Sequence, residues 1–131
     1  PCARALRTAL DSAWNSPILS RRSKALAFLV IARAVGCRAS EEESAKLAVS
    51  EGFKEGDVQE VLSHLGSPAL DPREAAIVPF ARETVRYQPA QIQGRARALR
   101  AVLKEDEFLE LVGVVALANA VARLGVLFEL A

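Results

Sequence analysis

Two apolar segments with helical boundaries limit what this chain can fold into. The segment from Ala25 to Val35 contains one charged residue, Arg33, and the segment from Leu111 to Ala122 contains none. Both are shorter than the roughly 20 residues that cross a bilayer, so we predict that they are buried core helices. The 24 alanines and the absence of Asn-Gly and Asp-Gly turns argue against a β fold. The chain is therefore predicted to be all-α.

Helix start and stop signals divide the rest of the chain. Asp71-Pro72-Arg73-Glu74 has the form of a capping box with proline at the first helical position. Ser20 is the expected N-cap of the first apolar helix and Gly36 its stop, and Ser40-Glu-Glu-Glu43 is expected to open the next helix. We predict six or seven helices, at about 4–14, 21–35, 40–52, 55–65, 72–87, 89–102 and 105–129, with a kink or break at Pro79.

Composition excludes several classes of function. The chain of 131 residues is expected to form one helical domain over 1–131, or half of a duplicated two-domain protein. A net charge of +1 and seven aromatic residues speak against nucleic acid or an anionic membrane as partner. Two cysteines and one histidine speak against a disulfide framework, a bound metal and a metal cofactor. Since no secretory signal is visible, we expect a cytoplasmic location.

The junction between two predicted helices carries the clearest chemical signal. Cys37, Ser40 and Ser44 are spaced i, i+3 and i+7, so they share one face if a helix begins near Cys37. The N-terminus of a helix stabilises a thiolate, which would make Cys37 a candidate nucleophile. The alternative is structural: Cys37 as a small buried residue, Ser40 as an N-cap only, and Ser44 as an exposed or half-buried position.

Several polar residues outside this junction are candidates for a binding pocket. His64 precedes a predicted helix end, where an imidazole can also have the structural role of donating a hydrogen bond to the last carbonyl groups. Asn119 and Arg123 lie one turn apart within an apolar helix face, so they need partners. One alternative is a structural network, with Arg123 paired to a carboxylate such as Glu83 or Glu110. The other is the polar wall of a pocket facing Cys37 that also contains Arg33, with Arg82 as a third arginine.

The sequence resembles the alkylhydroperoxidase-D-like, or carboxymuconolactone-decarboxylase-like, helical domains over roughly residues 5 to 130. The resemblance is carried by the buried helix ending in Gly36-Cys37 and by three later stretches, which are Gly52-Phe…Val58…Val61-Leu62, Leu70-Asp-Pro-Arg-Glu-Ala…Phe80-Ala-Arg and Glu107-Phe-Leu-Glu-Leu-Val…Ala118-Asn119…Arg123-Leu. In the redox-active members of that family a glutamate and a histidine relay protons for a cysteine pair that reduces peroxides. The resemblance implies an all-α fold and assembly into dimers, trimers or hexamers.

Three of the four relay positions hold other residues in this chain. The first cysteine of the family motif corresponds to Cys37, the second cysteine to Ser40, the histidine to Ser44 and the glutamate to Ala25. Ser40 cannot form a disulfide, so any redox chemistry is expected to be limited to a single thiol at Cys37. If active, the protein would be a peroxidase-related, thiol-dependent oxidoreductase that an external thiol reductant regenerates.

Two other functions remain open at the level of the sequence. The chain could be a catalytically silent structural domain of the same fold that forms homo-oligomers through its apolar helices. It could instead bind or cleave a small carboxylate without using the thiol. Arginine suits a carboxylate because its guanidinium donates two parallel hydrogen bonds, and the pocket candidates for this function are Arg33, His64, Asn119 and Arg123.

Overall fold

Residues 1–129 of the chain are described here by a computed structural model. They form seven α-helices and contain no strand: α1 (Cys2–Asn15), α2 (Arg21–Val35), α3 (Arg38–Ser50), α4 (Glu55–His64), α5 (Pro72–Arg86), α6 (Pro89–Arg100) and α7 (Glu105–Glu129). The prediction of an all-α fold is therefore confirmed, and the predicted boundaries of α2 and α7 coincide with the observed ones.

Helix α2 is the centre of the molecule. It packs against α3, α5 and α7, and α1 lies on α7 at the edge of this group. The Ser20 side chain accepts a hydrogen bond from the Ser23 N–H, and Gly36 ends the helix with φ of 90°. Both predicted boundaries are confirmed, because a serine N-cap and a left-handed glycine each satisfy backbone groups that the helix leaves open.

Helix α3 begins two residues earlier than the sequence predicted. Cys37 occupies its N-cap position in an extended conformation, and Ser40 lies inside the first turn. The prediction that Ser40 caps this helix is therefore wrong. The left-handed turn at Gly36 reverses the chain at once, so the next helix starts before the serine is reached.

Helix α5 begins with the predicted capping box. The Asp71 side chain accepts from the Glu74 N–H, and the Glu74 carboxylate accepts from the Asp71 N–H. The helix continues through Pro79, so the break that was one of the two predicted effects of this proline is absent. Buried residues on both sides of the proline, among them Val78 and Phe80, hold the helix against the core.

Helix α7 is buried on one face only. Leu111, Val114, Ala118 and Ala122 are in the core, but the prediction that the whole segment from Leu111 to Ala122 is buried is wrong. The opposite face is exposed along its length, at Leu109, Val112, Leu124, Leu127 and Phe128. By length and composition alone, α7 could also cross a membrane, a test that the core helix of a soluble protein passes as well.

A fully buried lysine joins three parts of the fold. Lys24 is 0% exposed, and its ammonium donates to the carbonyl oxygens of Ser16 and Trp14 at 2.6 and 3.3 Å. Glu110 of α7 lies 3.6 Å from the same ammonium and accepts from the Leu19 N–H at 2.6 Å. The pair therefore links α2, the loop after α1, and α7, and satisfies the charges that burial would otherwise penalise.

The Lys24–Glu110 pair makes stability depend on acidity. Burial raises the pKa of Glu110, but hydrogen bonds from the Ser16 hydroxyl and the Leu19 N–H, together with Lys24, outweigh burial and lower this pKa below 4.5. A carboxyl whose pKa is lowered by folding stabilises the folded state above its unfolded pKa, and this contribution is lost as the pH falls through the folded pKa.

We therefore expect Glu110→Gln to lower the free energy of unfolding by about 3 kcal/mol at pH 7, because it leaves the buried ammonium without its counter-ion. The difference in the free energy of unfolding between the variant and the parent should become smaller as the pH falls below 4.5. Urea unfolding at pH 7 and at a pH low enough to protonate Glu110 in the folded protein measures both values. Glu60→Gln, at an exposed position of α4, is the control and should change little at either pH. A deficit of equal size at both pH values would contradict the proposed role of the charge.

Candidate functional site

The Cys37 thiol lies buried where the first turn of α3 meets the end of α7. The residue is 1% exposed. Its Sγ lies 3.3 Å from the Ser40 Oγ and 3.4 Å from the Glu129 Oε1, and the same Glu129 oxygen accepts from the Ala39 N–H at 3.1 Å. The thiol has one proton, and either the Ser40 Oγ or the Glu129 Oε1 can accept it. Once the proton is lost, the Ser40 hydroxyl can donate to the thiolate.

Gly125 closes the other side of the thiol. A Cβ added to this residue would lie 2.7 Å from the Cys37 Sγ, closer than real Cβ contacts. The backbone of α7 therefore packs directly on the sulfur, and only glycine permits that approach. The thiol, the Ser40 hydroxyl, the Glu129 carboxylate and the Gly125 backbone together form what we call the thiol site.

An apolar cleft of about 380 Å³ lies beside the thiol site. It is bounded by α1, α2, α3 and α7, and its walls include Leu10, Trp14, Phe28, Ser40, Ser44 and Val121. Ser40 lines the cleft and also contacts the Cys37 Sγ, so the cleft and the thiol site adjoin at this residue. The sequence interpretation that Ser40 and Ser44 share a face is confirmed, although Ser44 is buried rather than exposed or half-buried.

The family's glutamate position lies in the core. Ala25 is 0% exposed and packs among the apolar side chains of α2. The carboxylate nearest the thiol comes instead from Glu129, which lies 92 residues further along the chain. Sequence reasoning missed both Glu129 and Gly125. The signal was their spacing from Ala118 and Ala122, which places all four on one face of α7.

A second pocket brings together three of the predicted binding residues, Arg33, His64 and Arg82. Arg33 and His64 line a cavity of about 360 Å³, with Ser63 and Arg82 on its wall. Arg33 and His64 lie in the last turns of α2 and α4, where positive charge complements the helix dipole. The Arg33 guanidinium also approaches Glu41 at 3.5 Å. The pocket is therefore rich in hydrogen-bond donors suited to an anion, although the positive charge of Arg33 is already paired in part with Glu41.

Asn119 and Arg123 do not line this pocket, so the described residues do not place them on one pocket wall with Arg33. The Asn119 Nδ2 donates to the Thr84 Oγ1 and to the Val115 carbonyl oxygen, at 3.0 and 2.9 Å. Arg123 is exposed, and its Nη2 lies 3.4 Å from the Val85 carbonyl oxygen. Both residues join α7 to α5, as in the structural alternative, but the acceptor for Arg123 is a backbone carbonyl instead of Glu83 or Glu110.

The family of the chain follows from comparison with known sequences. The model of the carboxymuconolactone decarboxylase family matches residues 2–83, which cover α1 to α4, most of α5 and the Cys37 junction. The chain belongs to the carboxymuconolactone decarboxylase family. The resemblance noted from the sequence is thereby confirmed. No curated protein matches the chain.

A solved structure extends the likeness of this family member over the whole fold. It is a protein of unknown function from Agrobacterium tumefaciens that has been provisionally named as the antioxidant defence protein AhpD. The two superpose with a TM-score of 0.88 at 18% sequence identity, over 98% of this chain and 88% of the other. At this identity the likeness establishes the AhpD-like helical fold alone, and any chemistry must be argued from the side chains of this chain.

Proposed function

We propose that this carboxymuconolactone decarboxylase family member is an AhpD-like protein whose redox chemistry is limited to one thiol, that of Cys37. The observation that carries the proposal is the position of the sulfur at the N-cap of α3, within reach of the Ser40 hydroxyl. The free N–H groups and the dipole at a helix N-terminus favour negative charge, and a hydroxyl that donates to sulfur adds to this.

The reaction that suits this site is reduction of a hydroperoxide with an apolar substituent. The cleft beside Ser40 is mostly apolar and can take an alkyl or aromatic group. The sulfur would attack the terminal oxygen of the hydroperoxide and break the O–O bond, giving Cys37 sulfenic acid and the alcohol. The thiol proton would be lost to solvent, and the leaving alkoxide would take up a proton. Ser40 cannot resolve this product as the family's second cysteine does.

Regeneration therefore requires an external thiol. A first thiol molecule would condense with the sulfenic acid to give a mixed disulfide and water. A second would attack that disulfide, release the Cys37 thiol and leave as a symmetric disulfide. The two electrons delivered to the hydroperoxide are thus returned by two molecules of a small thiol, and the overall activity is that of an antioxidant oxidoreductase.

We expect the Cys2→Ser protein to form one sulfenic acid per chain, at Cys37, when treated with one equivalent of cumene hydroperoxide and a sulfenic-acid trap. Intact-mass and peptide mass spectrometry would count and locate the adduct. The Cys2→Ser/Cys37→Ser protein is the matched control and should form none. Absence of an adduct after hours, under conditions that label a small control thiol, would overturn the proposal and favour the catalytically silent structural domain.

The second candidate function is binding of a small carboxylate in the Arg33–His64 pocket. It is supported by the placement of these two residues, both pocket candidates from the sequence, on the wall of one cavity. A guanidinium can bind a carboxylate through two parallel hydrogen bonds, and a ring N–H of His64 can add a third donor. This function does not use Cys37, so it is compatible with a buried and unreactive thiol.

Binding of malonate tests this candidate. We expect saturable binding by titration calorimetry, weakened about tenfold or more by Arg33→Gln because a charge-assisted hydrogen bond is lost. Arg95→Gln, at an exposed position on α6, should leave the affinity unchanged. Equal affinity in both variants, or no saturable binding by the parent, would exclude a carboxylate site in this pocket.

We also propose that the chain forms homo-oligomers through the exposed face of the first half of α7, around Leu109 and Val112. Leu109 and Val112 are 60% and 42% exposed, and the neighbouring Gly113 and Ala116 are small, so a second helix could approach closely. A continuous apolar face of this kind is uncommon on the surface of a monomer and is typical of a subunit interface.

Sedimentation velocity tests the assembly. We expect the parent to sediment as a dimer or a larger species and Leu109→Glu to sediment as a monomer, because a buried carboxylate at the interface would lack a partner. Val49→Glu, at a similarly exposed apolar position of α3, should leave the assembly intact. A monomeric parent at micromolar concentration, or an unaffected Leu109→Glu protein, would contradict the interface.

A further inference from the structure

We propose that the last two turns of α7, residues 123–129, are a cover that must move before the Cys37 thiol can react. The inference deepens the proposed thiol function, on which it rests, because it concerns access to the same sulfur. It is drawn from the contacts of Gly125 and Glu129, from the loss of buried residues along this stretch, and from the position of the apolar cleft.

The closed arrangement leaves no approach to the sulfur. Cys37 is 1% exposed, the Gly125 backbone packs on one side of the Sγ, and the Glu129 carboxylate lies 3.4 Å away on another. A nucleophile attacks along the line of the bond that it breaks, so a hydroperoxide oxygen needs free space at the sulfur. Neither Gly125 nor Glu129 leaves such space, and both belong to the end of α7.

The cover is attached more weakly than the rest of the helix. Ala122 is the last buried residue among those described, and every residue from Arg123 to Glu129 is exposed or partly exposed. Leu124, Leu127 and Phe128 turn their apolar side chains outwards. Helix ends with few buried contacts open at a small cost in free energy, independently of global unfolding. The hydrogen bonds of Glu129 to the Ala39 N–H and to the thiol oppose that opening.

Movement of the cover would join the thiol to the cleft. Ala118 and Ala122 line the cleft, and Gly125 and Glu129 continue the same face of α7 onto the thiol site. Displacing the helix after Ala122 would thus extend the cleft as far as the sulfur. It would also release the Ala39 N–H, which could then donate to the negative charge that develops on the sulfur or the peroxide oxygen.

Glu129 therefore acts as a latch, in this proposal, and not as a replacement for the family's relay glutamate. It reaches the thiol only in the closed arrangement, where its carboxylate accepts from the Ala39 N–H in the first turn of α3. The reactivity of Cys37 would be set by the fraction of molecules in which this latch is open. A relay glutamate would instead be needed at the moment of reaction.

Alkylation of Cys37 by iodoacetamide in the Cys2→Ser protein measures that fraction, since the rate follows the population of the open form when closing is fast. We expect Glu129→Ala to raise the rate about tenfold or more, because charge-assisted hydrogen bonds are lost. Glu42→Ala makes the same change of charge at an exposed position near the start of α3 and should leave the rate unchanged. Gly125→Ala should also raise it, because the new methyl group pushes α7 away from the sulfur.

The proposal is overturned if Glu129→Ala and Glu42→Ala react at the same rate. It is also overturned if the increase in Glu129→Ala equals the increase in the global unfolding constant measured with urea, since opening would then require unfolding of the whole domain. The assay contains no peroxide, so it separates the two proposals. If Glu129→Ala is alkylated faster but Cys37 forms no sulfenic acid with the hydroperoxide, the cover is supported and the peroxidase function is excluded. If Cys37 forms sulfenic acid but Glu129→Ala is alkylated no faster, the peroxidase function is supported and the cover is excluded.

Discussion

The buried ammonium of Lys24 determines how the helices around the cleft are placed. It is the one cation among the described side chains with no exposure, and its partners come from the loop after α1 and from Glu110 of α7. An unpaired charge at this depth would cost several kcal/mol, so the alternatives in which α1 or α7 moves away from α2 are penalised. The walls of the apolar cleft are fixed by this requirement.

A similar linkage fixes the opposite side of α2. The Arg22 guanidinium lies 2.5 Å from the Glu74 carboxylate and packs over the Phe53 ring at 3.8 Å from its centroid. Glu74 also completes the capping box of α5, so one carboxylate both starts a helix and anchors it to α2. The polar first turn of α2 thus contacts α5, α7, the loop after α1 and the segment at Phe53, while the apolar remainder of α2 lies in the core. The thiol site lies beyond the far end of this helix, away from the charged pairs.

The sequence was a good guide wherever a local signal decided the structure. The Ser20 cap, the Gly36 stop and the Asp71 capping box each depend on residues within one turn of one another, and each is present. The prediction that Ser40 caps α3 failed because the turn at Gly36 lets the helix begin earlier, with Cys37 at its N-cap. The exposed face of α7 could not be foreseen from an uncharged run, since composition does not say which side faces the core.

The candidate site depended on contacts between distant parts of the chain, and these the sequence could not supply. Cys37 was identified from its place at a helix junction, and Arg33 and His64 do share a pocket. Glu129 meets Cys37 across 92 residues, and Lys24 meets Glu110 across 86. Pairing at such separations is set by how the helices pack, which follows from the summed burial of many side chains and not from any single motif.

The close packing of Gly125 on the sulfur ties the volume of the thiol to the position of a helix. Oxidation to a sulfenic acid adds an oxygen atom to Sγ, and the reduced protein has no room for it between α3 and α7. If the proposed oxidation takes place, the larger side chain would push against the end of α7, and the redox state of one atom would alter the position of the apolar side chains on the outer surface of that helix.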